Sequence, residues 1–420
     1  MFRRLARSAR VGTGLLLSAA ALVAAVTLLR LEVDPVPTWF YVFAWYPTLL
    51  ILDLLVVRLG GESLLARPRG LLAMLWWSAV IWFLFEALNF RLENWYYVFL
   101  PAHPVERWIG ITVSLATVVP ALLLPERLLE RLGVWRELES RPMTLGPKGL
   151  TFALASGAAT LGAVLLFPRY LYPLTWGAVW LVAEPLLYRT DPEQSLLGDL
   201  ARGRFGRIAR LMAGGLVAGI LWETFNAGAR GKWIYTVPLL EDLKLFEMPP
   251  LGFLGFPFFA LEAWSLYHLL APRTRAATVV ASVVFALLVL AGMDRWTISS
   301  TTPRLAELPG TSAEVRRRLE AGGLGDVFRL ARTAPMDVMR RAALSPEEAH
   351  LVREAARLST LRGIGTRHAA ALAAGGIYMV EELAAADPEA VWRIVQGGAR
   401  PTRAEVRVWI RAAGEEAVSP

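Results

Sequence analysis

The sequence predicts an all-α polytopic membrane bundle of about nine spans, built as a tandem parallel four-helix repeat, followed by a small soluble all-α domain. Three observations carry this. The 420-residue chain is 55% hydrophobic and only 19% charged, where a soluble domain carries about a quarter charged residues. Its apolar residues fall in runs near the roughly 20 residues that cross a bilayer. And one pattern of Glu, Asn, Trp and Tyr occurs twice, 137–138 residues apart.

The apolar segments are 11–30, 39–57, 70–90, 107–125, 149–168, 172–188, 208–226, 250–270 and 275–293. The first follows MFRRLARSAR, as in a signal peptide, but it has spanning length and no small-residue cleavage site follows it, so it reads as a retained helix. The sixth is short and carries Glu184 and Pro185. Arginine placement sets the orientation. Arg3, Arg4, Arg7 and Arg10, then the loops with Arg58–Arg69, Arg127–Lys148, Arg189–Arg210 and Arg273–Arg275, outweigh the alternate loops. The N-terminus is therefore expected in the cytoplasm and the C-terminal domain outside it, in the inner (cytoplasmic) membrane of a bacterium. The net charge of +8 then reports topology and not a nucleic-acid footprint.

The third segment ends FEALNFRLENWYY (85–97) and the seventh WETFNAGARGKWIY (222–235). The matched residues are Glu86/Asn89/Trp95/Tyr97 and Glu223/Asn226/Trp233/Tyr235. ESLL (62–65) matches QSLL (194–197), TWFYVFAWYP (38–47) matches TWGAVWLVAEP (175–185), and Pro120 with Glu126 matches Pro257 with Glu262. Four spans per copy is an even number, so both copies cross in the same sense, about an axis along the membrane normal. The expected domains are membrane repeat 1 (1–147), membrane repeat 2 (148–271), a ninth span and linker (272–301), and the soluble domain (302–420).

Glu86 and Asn89 share a helix face, as do Glu223 and Asn226. A carboxyl group within a span is costly and usually faces the bundle interior. The two pairs could converge at the repeat interface, joined by Glu262. A carboxyl kept protonated by desolvation is a general acid at neutral pH. Trp82, Trp222, Phe85 and Phe225 would line an apolar pocket or stabilise a carbocation. The alternative is polar glue between helices, and for Trp95, Tyr97, Trp233 and Tyr235, interfacial anchoring. KLFEMPPLGFLGFPFFALEAW (244–264) has the Gly and Pro of a broken or re-entrant helix, or of a kinked span.

These elements resemble the lycopene cyclase domain of carotenoid synthesis, also built from duplicated membrane units. The resemblance covers parts of 80–126 and 220–265, and implies that Glu86, Glu223 and Glu262 protonate a polyene. The family's Pro-x-Glu-Glu motif is absent; LPERLLE (124–130) and FPFFALEAW (256–264) stand instead. The membrane region as a whole also resembles a family of bacterial polytopic membrane proteins of uncharacterised function.

The last segment repeats itself at an offset of 53, LAELPGTSAEVRRRLEAGGL (305–324) against LSTLRGIGTRHAAALAAGGI (358–377). The second copy resembles a helix-hairpin-helix of the DUF4332-like tandem type, through Gly363, Ile364, Gly365 and Thr366. In DNA-binding relatives the amides after such a hairpin hold a phosphate. Here eighteen Arg face fifteen Asp/Glu between 295 and 420, not the basic face of a DNA binder. Protein interaction or packing is favoured over nucleic acid.

The chain has no Cys and four His, which excludes disulfides and thiolate metal sites and argues against a His-rich metal centre. No Walker loop, dinucleotide fingerprint, zinc signature or nucleophile elbow occurs, and no cofactor is expected. Two functions stay open: a membrane protein that binds or transforms an apolar isoprenoid- or lipid-like molecule, or a scaffold whose tail docks a protein partner. The expected partners are membrane lipids, an apolar small-molecule ligand and a protein partner of the tail.

Overall fold

A computed structural model describes residues 2–64, 66–143, 145–237, 243–271, 275–396 and 401–418. Leu65 and Arg273, and the side chains of Arg3, Arg4 and Arg7, lie outside the described residues. The fold is nearly all-α, 73% helical, and packs as two compact units.

The first unit comprises Met1–Leu92, Trp108–Ala229 and Val237–Gly292. Its helices are α1 (Phe2–Arg30), α2 (Val36–Arg58), α3 (Pro68–Leu92), α4 (Pro104–Leu115), α5 (Val118–Arg131), α6 (Pro147–Leu166), α7 (Pro168–Leu171), α8 (Thr175–Thr190), α9 (Leu196–Ala201), α10 (Gly206–Gly228), α11 (Gly255–Leu270) and α12 (Ala276–Trp296). Among the described residues, eight helical segments are long and apolar enough to cross a membrane: Ala9–Arg30, Val36–Arg58, Pro68–Leu92, Pro104–Arg131, Pro147–Leu166, Gly206–Gly228, Pro250–Leu270 and Ala276–Trp296. The remaining apolar run is α8. It has 16 residues and non-helical dihedrals at Trp176 and Gly177, so it rises only about 24 Å. It returns beside α6 to the side where α6 began, since Arg189 donates to the Thr151 hydroxyl at 3.1 Å.

The packing pairs are α1 with α2, α6 with α8, α2 with α5, α8 with α11, α3 with α5 and α11, and α10 with α5 and α11. Pro120 has no N–H for the Ala116 carbonyl, and the helix breaks there. Ser78 of α3 spans the break, donating to the Leu115 carbonyl at 2.8 Å and accepting from the Val119 N–H at 2.9 Å. Buried carboxylates fix two loops. Asp53 accepts from the Ser63 hydroxyl at 2.6 Å and the Leu64 N–H at 2.8 Å. Glu184 accepts from the Ser195 hydroxyl at 2.6 Å and the Leu197 N–H at 2.9 Å, and from the Ser265 hydroxyl.

The second unit comprises Glu93–Arg107, Arg230–Thr236 and Met293–Pro420. Strands β1 (Trp95–Val98) and β2 (Lys232–Tyr235) pair antiparallel, Trp95 with Tyr235 and Tyr97 with Trp233. The chain leaving α12 joins this ribbon, with Tyr97 N–H donating to the Thr297 carbonyl at 2.7 Å and Ser299 N–H to the Tyr97 carbonyl at 2.9 Å. Then come α13 (Ala313–Ala321), α14 (Val327–Arg332), α15 (Pro335–Ala342), α16 (Pro346–Thr360), α17 (Gly365–Ala374), α18 (Val380–Ala384), α19 (Pro388–Val395) and α20 (Arg403–Val418). Ser312, Asp326, Ser345 and Asp387 cap α13, α14, α16 and α19 through their side-chain oxygens. Two apolar cores result, one around Leu319 and Leu330, the other around Leu372 and Trp409. A third brings Tyr96, Val98 and Ile234 of the ribbon against Phe328 and Val408.

Candidate functional site

The first unit buries Glu86, Asn89, Glu223, Asn226 and Glu262 almost completely, each at 0–1% exposure. Trp82 and Glu86, four apart on α3, meet on one face: the indole N–H donates to Glu86 Oε1 at 2.8 Å. On α10, Glu223 lies within coulombic range of the Tyr41 hydroxyl.

Aromatic rings join these helices. The Phe259 ring of α11 contacts Trp82 at 5.4 Å, Phe85 at 5.3 Å, Trp176 at 5.8 Å and Trp222 at 6.1 Å between centroids. Trp222 also meets Trp45 and Phe256, both at 5.8 Å, and Phe225 meets Trp45 edge-on at 5.5 Å. So one ring brings together the tryptophans beside Glu86 and Glu223. Glu262 lies three residues after Phe259, on the same helix face. Its Oε1 accepts from the Trp180 N–H at 3.3 Å, while no hydrogen-bond donor reaches its Oε2 among the described residues. The break at Trp176 and Gly177 restarts α8 with N–H groups that have no intrahelical acceptor. Glu262 supplies one from the neighbouring helix.

The rings of Phe259, Phe256, Trp45 and Trp176 are not singled out by sequence reasoning. Position offers one signal for Phe259, which stands one turn before Glu262. Repetition offers one for Trp176, which matches Trp39 where Thr-Trp opens both copies of the repeated segment.

Trp95, Tyr97, Trp233 and Tyr235 belong to the second unit, as the paired strands, whereas the Glu-x-x-Asn residues belong to the first. The glycine hairpin packs onto this ribbon. Gly363 has φ +88° and Gly365 φ +67°, values that favour glycine. A Cβ on Gly363 would stand 2.0 Å from the Val98 side chain, and one on Gly365 2.6 Å from Ser300. Tyr96 donates to the Arg362 carbonyl at 3.1 Å. Ile364 is fully buried, and the Thr366 hydroxyl donates to Glu307 at 3.1 Å. Nearby, a cavity of about 300 Å³ is lined by Arg107, Asp294, Thr366, His368 and Glu405. Arg107 is paired with Asp294 at 2.8 Å. Burial lowers the His368 imidazole to about 4 and raises the Glu405 carboxyl to about 7.

The long apolar helices and the buried polar groups between them define a polytopic helical membrane protein. Compared with protein-family models, with curated proteins and with solved structures, the chain matches none.

Proposed function

We propose that the membrane unit is a duplicated four-span bundle that binds an apolar, isoprenoid- or lipid-like molecule between α3, α10 and α11. The observation that carries this is the Phe259 ring cluster, which joins the tryptophans of both Glu-x-x-Asn helices beside three buried carboxylates. Flat ring faces suit an apolar chain or a developing carbocation. A desolvated carboxyl group is suited to deliver a proton. Glu86 and Glu223 are the acid candidates, with Asn89 and Asn226 as positioning residues. Glu262 caps α8 through one oxygen and offers the other to the interior. The resemblance to the lycopene cyclase domain points the same way.

The duplication has independent support. Ser63 and Ser195, matched in ESLL and QSLL, each donate to a buried carboxylate of the preceding helix. In the ribbon each motif's Trp pairs with the other's Tyr, as a twofold relation requires. Pairing of β1 with β2 also calls for an even number of crossings between them. Segments α4–α5, α6, α8 and α10 supply four, so parity favours α8 as a crossing and nine in all. The ribbon and the tail then share the side opposite the basic loops, taken as outside the cytoplasm. Helix starts offset by 52–53 residues (Ala313/Gly365, Val327/Val380, Pro335/Pro388) support a duplicated tail of the helix-hairpin-helix kind. Its hairpin glycines meet Val98 and Ser300, which favours packing over phosphate binding.

The test is mass spectrometry of apolar molecules extracted from purified wild type, E86Q and E223Q. The expected result is a molecule that wild type retains and both variants lose while remaining folded. The same extract from all three would defeat the proposal. The second reading is a scaffold docking a protein partner through the tail. It is favoured if deleting 302–420 removes a co-purifying protein while the apolar extract is unchanged.

A further inference from the structure

At the end of the first unit away from Glu86, a cavity of about 550 Å³ opens between the first turns of α3, the last turns of α5, the start of α10 and the last turn of α11. Its walls are apolar above, at Ala73, Met74 and Leu123, and polar around Arg127, Arg207 and Gln194. The arginines are held in different ways. Arg207 donates to Asp199 and to the Glu193 carbonyl and lies 5.1 Å over the Trp264 ring, and that indole is fixed by the Gln194 carbonyl at 2.8 Å. Arg127, half-buried, makes no ion pair or hydrogen bond among the described residues.

Two carboxylates, Glu126 and Glu130, also line the cavity, and both face Arg210. Glu126 is paired with Arg210 at 2.9 Å, and Glu130 stands 3.9 Å from the same guanidinium. Asp199 serves Arg202, Arg204 and Arg207 together, with Glu193 on Arg202. Arg127 is thus the guanidinium lining the cavity that has no ion-pair partner among the described residues. A half-buried guanidinium without an anion carries a desolvation cost that a ligand anion would offset.

We propose that this cavity binds the phosphate of an anionic phospholipid, with Arg127 and Arg207 on the phosphate and the acyl chains along the apolar walls. The unpaired Arg127 guanidinium matches a phosphodiester, which carries one negative charge. Basic pockets between spans near a membrane surface hold lipid headgroups by the same physics. The site lies at the opposite ends of α3 and α10 from their Glu-x-x-Asn pairs and does not depend on the ligand of those pairs.

The experiment is native mass spectrometry of the full-length protein from detergent containing phosphatidylglycerol, with phosphatidylcholine and inorganic phosphate as separate arms. Wild type should retain phosphatidylglycerol. R127Q should retain it about tenfold less, as expected for loss of a charge-assisted contact. R136Q, an exposed arginine outside the cavity, should match wild type. Ala73→Leu, which fills the apolar wall and keeps Arg127, should also lose the lipid, so the proposal stays testable if R127Q misfolds. Equal retention in R127Q and Ala73→Leu would overturn the site. Equal loss in R136Q would overturn it in favour of diffuse surface charge. Displacement of the lipid by millimolar inorganic phosphate, or equal retention of phosphatidylcholine, would overturn the anionic-lipid assignment.

Discussion

The first unit, with its long apolar helices, and the second unit solve the same problem, burying polar backbone and side chains, by different means. In the membrane unit, carboxylates go inside and are held by a hydroxyl or a backbone N–H, as at Asp53, Glu184 and Glu262. Aromatic rings fill the space between helices, and small residues let backbones approach. In the second unit the two larger cores are mainly aliphatic, helix ends are capped by Ser and Asp, and several ion pairs sit near the surface. A unit held together by apolar packing alone has no need of four fully buried glutamates, Glu86, Glu184, Glu223 and Glu262.

Glycine sharpens the comparison. In α10, Gly219 lies against the Phe256 ring, and a Cβ there would stand 2.1 Å from it. Gly219→Val should cause the largest loss, about 3 kcal/mol or more for overpacking a helix interface, read as a fall in thermal stability in detergent. A variant that melts like wild type would remove close approach as the organising feature of α10 and α11.

The second unit should show a pH dependence of a particular shape. With its folded pKa raised from 4.5 to about 7, Glu405 holds a proton in the folded chain that the unfolded chain releases. Its contribution to stability therefore falls as pH rises from 4.5 to 7, by about 3 kcal/mol. His368, lowered from 6.5 to about 4, binds its proton more readily when unfolded, so its contribution rises over pH 4 to 6.5. The two oppose each other between 4.5 and 6.5, where wild-type stability should be nearly flat. E405Q should convert that plateau into a rise with pH, measured by denaturant unfolding of this unit's intrinsic fluorescence. A plateau that persists in E405Q contradicts the assignment.

Smaller effects distinguish the hairpin from the loops. Gly363→Ala, strained at φ +88° and aimed at Val98, should cost about 2 kcal/mol and speed proteolysis of the second unit. Ser195→Ala should cost about 2 kcal/mol and Ser63→Ala about 1 kcal/mol by leaving a buried carboxylate short of a donor. The difference arises because Ser195 also caps α9 through the Gly198 N–H at 3.1 Å. Equal losses would show that the cap adds nothing.

Long apolar runs make the spanning helices legible in the sequence, because length and composition alone set that signal. The 16-residue α8 is harder, since Pro185 and the break at Trp176 and Gly177 shorten it. The Trp-x-Tyr elements can be seen to recur, but not to pair, because their partners lie 136–140 residues apart and strand pairing leaves no local period. Gly363 and Gly365 can be read as a tight turn, whereas Val98, against which Gly363 packs, is 265 residues away. The Phe259 cluster is hidden for a different reason. Aromatic residues are frequent throughout the spans, and nothing in their spacing tells which ring faces which.

The proposed apolar ligand lies among α3, α10 and α11 and not on the lipid-facing surface. Photolabelling the full-length protein in membranes with a diazirine-bearing polyprenyl probe tests it most directly. The predicted result is labelled peptides covering Trp82–Asn89, Trp222–Asn226 and Phe256–Glu262, suppressed by excess unlabelled polyprenol. Labelling confined to exposed apolar positions such as Leu16, Leu17 and Leu288, with no competition, would contradict it.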